Sequence, residues 1–299
     1  MSTVSIALSN TEIDDLFQRY PMAEKRKTPA YAKWQIKLSD CVITAYESGK
    51  VVFQGDGAEF HASSYQCAPK RMPVPSISIT YPQCGSDEVG TGDYFGPVCV
   101  CAAYVSEKDA EWLKSLGVQD SKAIKDDTIL TIGPKLMERL VHSLLILDNE
   151  TYNRIHPDHN MVAIKCKLHN QAFVHLRHKL KALPKHIIID QFVKKESYYR
   201  YLRQEAEVIE GIHFETKAEN KYMAVAAASV IARYAFLMRF EAMCQAYDFP
   251  FLKGASAKVD QNIVDFVQRY GQASLTKVAK LHFANTKKGA VTHKKAAQK

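Results

Sequence analysis

Ser86-Asp87-Glu88-Val89-Gly90-Thr91-Gly92-Asp93-Tyr94-Phe95-Gly96-Pro97 is the stretch on which the reading of this chain turns. Two adjacent carboxylates run directly into a glycine-rich loop. Two more acids further along also sit at the ends of predicted elements. Asp190 closes the short apolar strand Ile187-Ile188-Ile189, and Glu219 follows Thr216-Lys217-Ala218 at the expected start of an alanine-rich helix. Carboxylates gathered at one sheet edge repel one another and raise each other's pKa, and divalent cations relieve that repulsion. Hard oxygen ligands suit magnesium or manganese, and a pair of such ions can activate water and stabilise a leaving oxygen. Each acid also has a plainer account. Asp87 and Glu88 can be turn residues beside glycines, Asp190 an N-cap, and Glu219 the reciprocal partner in a Thr216-x-x-Glu219 capping box. Spacing alone does not bring the four together.

Outward from this stretch the pattern is mixed α/β. Val98–Val105 is a continuous apolar strand, and Ser106-x-x-Asp109 caps a helix carrying Trp112, Leu113 and Leu116. A longer helix is expected through Ile129, Leu136 and Val141 with Pro134 as a kink. Strands are expected at 144–147 and His186–Asp190, helices at 160–180 and 219–234, and alternation suggests a strand at 208–214. Strands alternating with helices argue for a mostly buried sheet covered on its faces.

Toward the N-terminus, Ala68-Pro69-Lys70-Arg71-Met72-Pro73-Val74-Pro75 reads as a semi-rigid linker. Before it, Ser9-x-x-Glu12 is a capping-box candidate. Residues 31–38 alternate strictly, with Ala32, Trp34, Ile36 and Leu38 on one face and Tyr31, Lys33, Gln35 and Lys37 on the other. Strands at 41–46 and 51–54 and a helix at 57–66 complete a small helix-plus-sheet unit. Its open face offers a ring, lysines and amides, with Lys50 and Gln54 as additions. Such a face suits phosphates and 2′-hydroxyls, or is simply solvated.

Composition bounds the class. Of 299 residues 46% are hydrophobic and 24% charged, as in an ordinary globular chain. The net charge of +8 suggests an anionic partner, yet Lys287, Lys288, Lys294, Lys295 and Lys299 supply most of it from the last 13 residues. The seven cysteines form no C-x-x-C pair and read as buried thiols. No signal-like start and no run near 18 apolar residues is visible, so a cytoplasmic monomer without a membrane partner is expected. His156-Pro157-Asp158-His159 reads as a surface loop rather than a metal site, and the other histidines form no coherent set.

The segment quoted first resembles the opening motif of the type 2 ribonucleases H, an acidic pair followed by Gly-x-Gly and Gly-Pro. Its Gly-Thr-Gly-Asp form is closer to ribonuclease HIII than to ribonuclease HII. The likeness continues through Asp120-Ser121-Lys122, Ile188-Ile189-Asp190-Gln191-Phe192 and Thr216-Lys217-Ala218-Glu219, then Ala224-Val225-Ala226-Ala227-Ala228-Ser229. It ends at Lys280-Leu281-His282-Phe283-Ala284-Asn285-Thr286. The resemblance implies a ribonuclease H-like mixed sheet flanked by helices, preceded by a small α+β domain similar to the TATA-box-binding protein. It divides the chain into a substrate-binding domain (1–67), a linker (68–80), a catalytic domain (81–286) and a basic tail (287–299).

The implied activity is endonucleolytic hydrolysis of the RNA strand of RNA/DNA hybrids. A two-metal-ion mechanism with Mg2+ or Mn2+ would leave 5′-phosphate and 3′-hydroxyl ends. Asp87, Glu88, Asp190 and Glu219 become the catalytic metal ligands, with Glu219 standing where the family usually has aspartate. Gly90, Thr91 and Gly92 would read 2′-hydroxyls, and Ser121 and Lys122 would contact phosphates. Tyr31, Lys33, Gln35 and Lys37 would help to hold the hybrid. Type HII enzymes carry a tyrosine in a Gly-Tyr-Gly where this chain has Lys253-Gly254-Ala255-Ser256, which favours stretches of RNA as substrate. The alternatives are HII-like excision of single embedded ribonucleotides, and a hybrid-binding protein whose acids are structural caps.

Overall fold

Residues 3–63, 65, 80–118 and 124–288 are described by a computed structural model, in which the chain divides into two units, 1–77 and 78–299. The expected linker and tail lie almost wholly outside the described residues, as do Ser121 and Lys122.

In the first unit the order is β1 (Thr3–Ala7), α1 (Asn10–Gln18), β2 (Glu24–Lys25), β3 (Ala32–Lys37), β4 (Val42–Tyr46), β5 (Lys50–Gln54) and α2 (Ala58–Ser63). The capping box forms at α1, where Ser9 and Glu12 each satisfy the other's backbone N–H. The strands pair antiparallel in the order β1-β5-β4-β3-β2. Register aligns Ile36, Ile43, Phe53 and Val4 across one face. There they pack with Ile13 and Leu16 of α1 in one core. The opposite face carries Lys37, Val42, Gln54 and Thr3 in one row, and Gln35, Thr44, Val52 and Ser5 in the next.

The expected strict alternation over 31–38 is interrupted. Tyr31 precedes the strand in a left-handed conformation (φ 64). A register shift between Ala32 and Trp34 leaves Lys33 as a bulge residue. Its ammonium donates to Asn10 Oδ1 at 2.7 Å. Gln35 and Lys37 keep their places on the open face. Strands β1 and β2, absent from the sequence reading, complete the sheet.

The second unit runs β6 (Gln83–Val89), β7 (Val98–Val105), α3 (Glu107–Ser115), α4 (Asp126–Arg139), β8 (His142–Leu147), α5 (Asn149–Ile155), α6 (Met161–Leu180) and β9 (His186–Asp190). It continues with α7 (Lys195–Tyr201), β10 (His213–Glu215), a 3-10 turn (Ala218–Asn220), α8 (Met223–Ala246), α9 (Ala257–Tyr270) and α10 (Leu275–Val278). Sheet order is β10-β9-β6-β7-β8. Strands β6, β7 and β8 form an antiparallel meander, while β9 and β10 run parallel to β6. This is the mixed sheet flanked by helices that the resemblance implied.

Alternation along β6 assigns its two faces. Gly85 meets α8 so closely that an added Cβ would lie 2.3 Å from the Val225 nitrogen. Cys84 belongs to the opposite core, with Ile164, Phe173 and Tyr198. The N-terminal half of α8 is buried at 223–228 and at 230–232 because β6, β7 and α4 pack around it. The helix is also long and apolar enough to cross a membrane by length and composition, and 67% of its most apolar window is buried inside the protein. Among the described cysteines every thiol is free, and Cys99 and Cys101 are fully buried.

Two local expectations fail. The alternating 208–214 segment forms a strand only at its end, where His213–Glu215 begins. Glu219 does not open α8 but sits in the 3-10 turn, whose N-cap is left-handed Lys217 (φ 55) with no side-chain cap. The helix begins at Met223, so the capping-box account of Glu219 is set aside as well.

Candidate active site

Strands β6 and β9 run parallel and pair Ser86 with Ile189, so Asp87 and Asp190 emerge side by side at their C-terminal ends. Both project toward α8. Asp87 is bonded by Ser229, and Ile188, two residues before Asp190, packs with Val225. Asp87 is buried and its Oδ1 accepts the Glu88 N–H at 2.8 Å. Burial, then the charges of Glu88 and Asp190, push its carboxyl well above the usual range. Asp190 Oδ1 accepts the Ala218 N–H at 3.0 Å, which ties this strand end to the turn that carries Glu219.

Glu88, next along the strand, projects to the opposite face. There Lys165 of α6 forms an ion pair with Oε1, and His169 Nε2 lies 2.9 Å from Oε2. Burial alone would raise this carboxyl, but His169 and then Lys165 outweigh it and hold it well below the usual range. The other His169 nitrogen, Nδ1, lies 2.7 Å from Ser86 Oγ. Since Nε2–H must donate to the carboxylate, Nδ1 of a neutral ring accepts from the serine. The sequence reading missed Lys165 and His169. Their i,i+4 spacing was visible, but nothing in one sequence says that they face β6.

Glu219 is 1% exposed. It lines a small cavity with Tyr81, Lys114, Lys221 and Tyr222, and none of the other three acids lines that cavity. Among the described residues no group of three or more His, Cys, Asp or Glu side chains is gathered to hold a metal ion. Of the four acids, Asp87 and Asp190 are the two that the sheet register sets side by side on one face. They are oxygen ligands on one face, and the charge of Asp190 adds to those that disfavour ionised Asp87, a balance a dication would relieve.

The loop after β6 is stitched to two C-terminal segments. Gly254 N–H donates to Asp93 Oδ1 at 2.6 Å, and Tyr94 N–H donates to Gly254 O at 2.9 Å. Gly96 N–H donates to Val278 O, and Lys280 N–H to Tyr94 O, both at 2.9 Å. The buried Lys280 ammonium is bonded to Gly96 O. Within this frame the two loop glycines differ. Gly90 has φ 94 and its Cβ would strike Pro97 O at 2.1 Å, whereas Gly92 has open space where a Cβ would go. The fold explains the first glycine and leaves the second to whatever approaches the loop.

His156 stacks on His282 with ring centroids 4.2 Å apart, and Tyr152 Oη lies 3.1 Å from His282 Nδ1. The His156–His159 segment is a turn between α5 and α6, as expected.

The ribonuclease HII family model matches residues 84–286, and a domain of unknown function (DUF3378) matches residues 3–73. A ribonuclease HIII of Bacillus cereus is 40% identical over 303 aligned residues, covering 96% of this chain and 97% of the relative. The crystal structure of Bst-RNase HIII in complex with Mn2+ superposes with a TM-score of 0.72 at 40% identity, covering 98% of this chain and all of that one. RNase H3 of Aquifex aeolicus, at 20% identity, shares the fold with a TM-score of 0.56, covering 93% of this chain and 99% of that one.

Proposed function

The chain belongs to the ribonuclease HIII family and is an endoribonuclease of the ribonuclease H type, and from that premise we propose that it cuts the RNA strand of RNA/DNA hybrids with two divalent cations. Asp87, Glu88, Asp190 and Glu219 would hold the ions, Mg2+ or Mn2+, with Asp87 and Asp190 as the first pair. Bound there, the cations would supply an activated water and charge stabilisation at the scissile phosphate, leaving 5′-phosphate and 3′-hydroxyl ends. The observation that carries this reading is the Asp87–Asp190 pair at the ends of adjacent parallel strands, with Asp87 held protonation-prone by burial and by the charge of Glu88.

The chain's own residues bind and orient. The backbone around Gly90, Thr91 and Gly92 approaches the sugar edge of the RNA strand, where a 2′-hydroxyl separates RNA from DNA. The stitching of Asp93, Tyr94 and Gly96 to residues 254 and 278–280 fixes that loop before substrate arrives. Gln35, Lys37 and Gln54 on the open face of the N-terminal sheet contact the hybrid backbone, with Tyr31 and Lys33 at the strand's start. Ser121 and Lys122 are proposed phosphate contacts from the family motif alone.

The test is cleavage of a labelled hybrid with Mg2+ or Mn2+ by the purified chain and by Asp87→Asn and Glu219→Gln. Internal metal-dependent cuts in RNA, lost in both variants, are expected. Cleavage that survives Glu219→Gln removes that residue from the ligand set. Efficient cutting at one embedded ribonucleotide would favour HII-like excision, and binding without cutting would leave a hybrid-binding module.

A further inference from the structure

The charge of Glu88 is already balanced by a protein cation and a hydrogen-bond donor. Both its oxygens are engaged from α6, Oε1 by Lys165 and Oε2 by His169. The clamp is enclosed, with side-chain exposure of 12% for Glu88, 12% for Lys165 and none for His169. Phe192, two residues beyond Asp190, backs both groups. Its ring centroid lies 3.9 Å from Lys165 Nζ and 5.1 Å from the His169 ring. The partners that face Glu88 therefore belong to the α6 side of the sheet, while Asp87 and Asp190 face α8.

We propose that Lys165 is an internal counter-cation that competes with the divalent ion for Glu88. In the metal-free protein it keeps the carboxylate on the α6 face. With a cation bound at Asp87 and Asp190 the carboxylate would turn to the strand end, and the released ammonium would keep the Phe192 ring over which it already sits. A buried carboxylate without a cation is costly, so the fold supplies one until the metal does. Lys165 is a positioning residue here and acts through Glu88. His169 bridges Ser86 Oγ and Glu88 Oε2 and so guides the carboxylate.

This inference rests on the metal-binding reading above, and one calorimetric series separates the two. Mn2+ is titrated, without nucleic acid, into the full-length wild type, Lys165→Met, Glu88→Gln and the double variant. Lys165→Met is expected to bind Mn2+ roughly five- to tenfold more tightly than wild type. The gain should vanish in the Glu88→Gln background, because the carboxylate that Lys165 contests is gone. The metal-free Lys165→Met protein should melt below wild type and gain more from Mn2+. Lys165→Gln replaces it should the methionine variant not fold. Equal or weaker binding by the Lys165 variant overturns the inference. So does a gain that persists with Glu88→Gln, which would make Lys165 a general repulsive charge. A wild type that takes up no Mn2+ removes the metal reading itself.

Discussion

At the scale of the residue, the loop glycines give the sharpest contrast between fold and function. Gly90→Ala places a side chain at φ 94 and against Pro97 O, and should cost more than about 1 kcal/mol in denaturant unfolding. Gly92→Ala meets open space and should leave the unfolding midpoint unchanged. If Gly92 admits a sugar–phosphate backbone, the same methyl should lower kcat/KM on a hybrid by roughly tenfold or more. Unchanged cleavage in Gly92→Ala would remove the loop from substrate reading. Asp87 carries the opposite balance. Burial and neighbouring acids disfavour its charged form, so Asp87→Asn should raise the melting temperature of the metal-free protein while abolishing cleavage. A lower melting temperature in that variant would mean that Asp87 is structural. The acid pair and its glycines were legible because they are contiguous and because the motif is a familiar one. Lys165 and His169 were not, since His169 reaches Glu88 across 81 residues of chain and only tertiary packing joins them.

At the scale of the element, what sets the site is how α8 lies on β6. Gly85 has its Cβ position filled by the Val225 and Ala224 backbone, so Gly85→Ala must push the helix off the strand. The cost should be about 1–3 kcal/mol by chemical denaturation, as for overpacking in a well-packed core, and Asp87–Ser229 should loosen with it. An unperturbed stability curve would show that the contact is softer than the geometry indicates. The same element exposes a limit of pattern reading. Thr-x-x-Glu before an alanine run looks like a helix start, yet Lys217 turns left-handed and the helix waits until Met223. The bulge at Lys33 is a similar case, in which a turn geometry overrides an alternating sequence. The loop's anchor is testable by pH. Burial pushes the Lys280 ammonium down to about 7 from an ordinary 10.5. Between those values the unfolded chain binds the extra proton, so this group's contribution to stability rises with pH, and below about 7 its burial penalty is present in full. The stability of wild type relative to Lys280→Met should therefore climb between pH 7 and pH 10. A flat difference in parallel unfolding titrations would refute it.

At the scale of the whole molecule, the question is how a chain with most of its net charge in a lysine-rich tail grips a polyanion. The open face of the N-terminal sheet supplies a spaced set of donors instead of a dense patch. Lys37 and Gln54 share one row, Gln35 sits in the next, and Lys50 begins the strand that ends at Gln54. The polar face was readable from alternation, but its rows were not, because register depends on which strands pair. If this face holds the hybrid backbone, Lys37→Ala with Lys50→Ala should raise KM and leave kcat at saturating substrate unchanged. Counterion release sharpens the expectation. Each lysine lost from a phosphate contact should reduce the slope of log K against log salt by about 1, so the pair should reduce it by about 2. The slope is measurable from hybrid binding across a salt series with metal withheld, which isolates grip from chemistry, and KM from cleavage with metal present. An unchanged slope with unchanged KM would mean that the face is merely solvated. Substrate grip would then have to come from the catalytic unit, where Lys253, half-exposed beside the Gly254–Asp93 contact, is the next cation to remove.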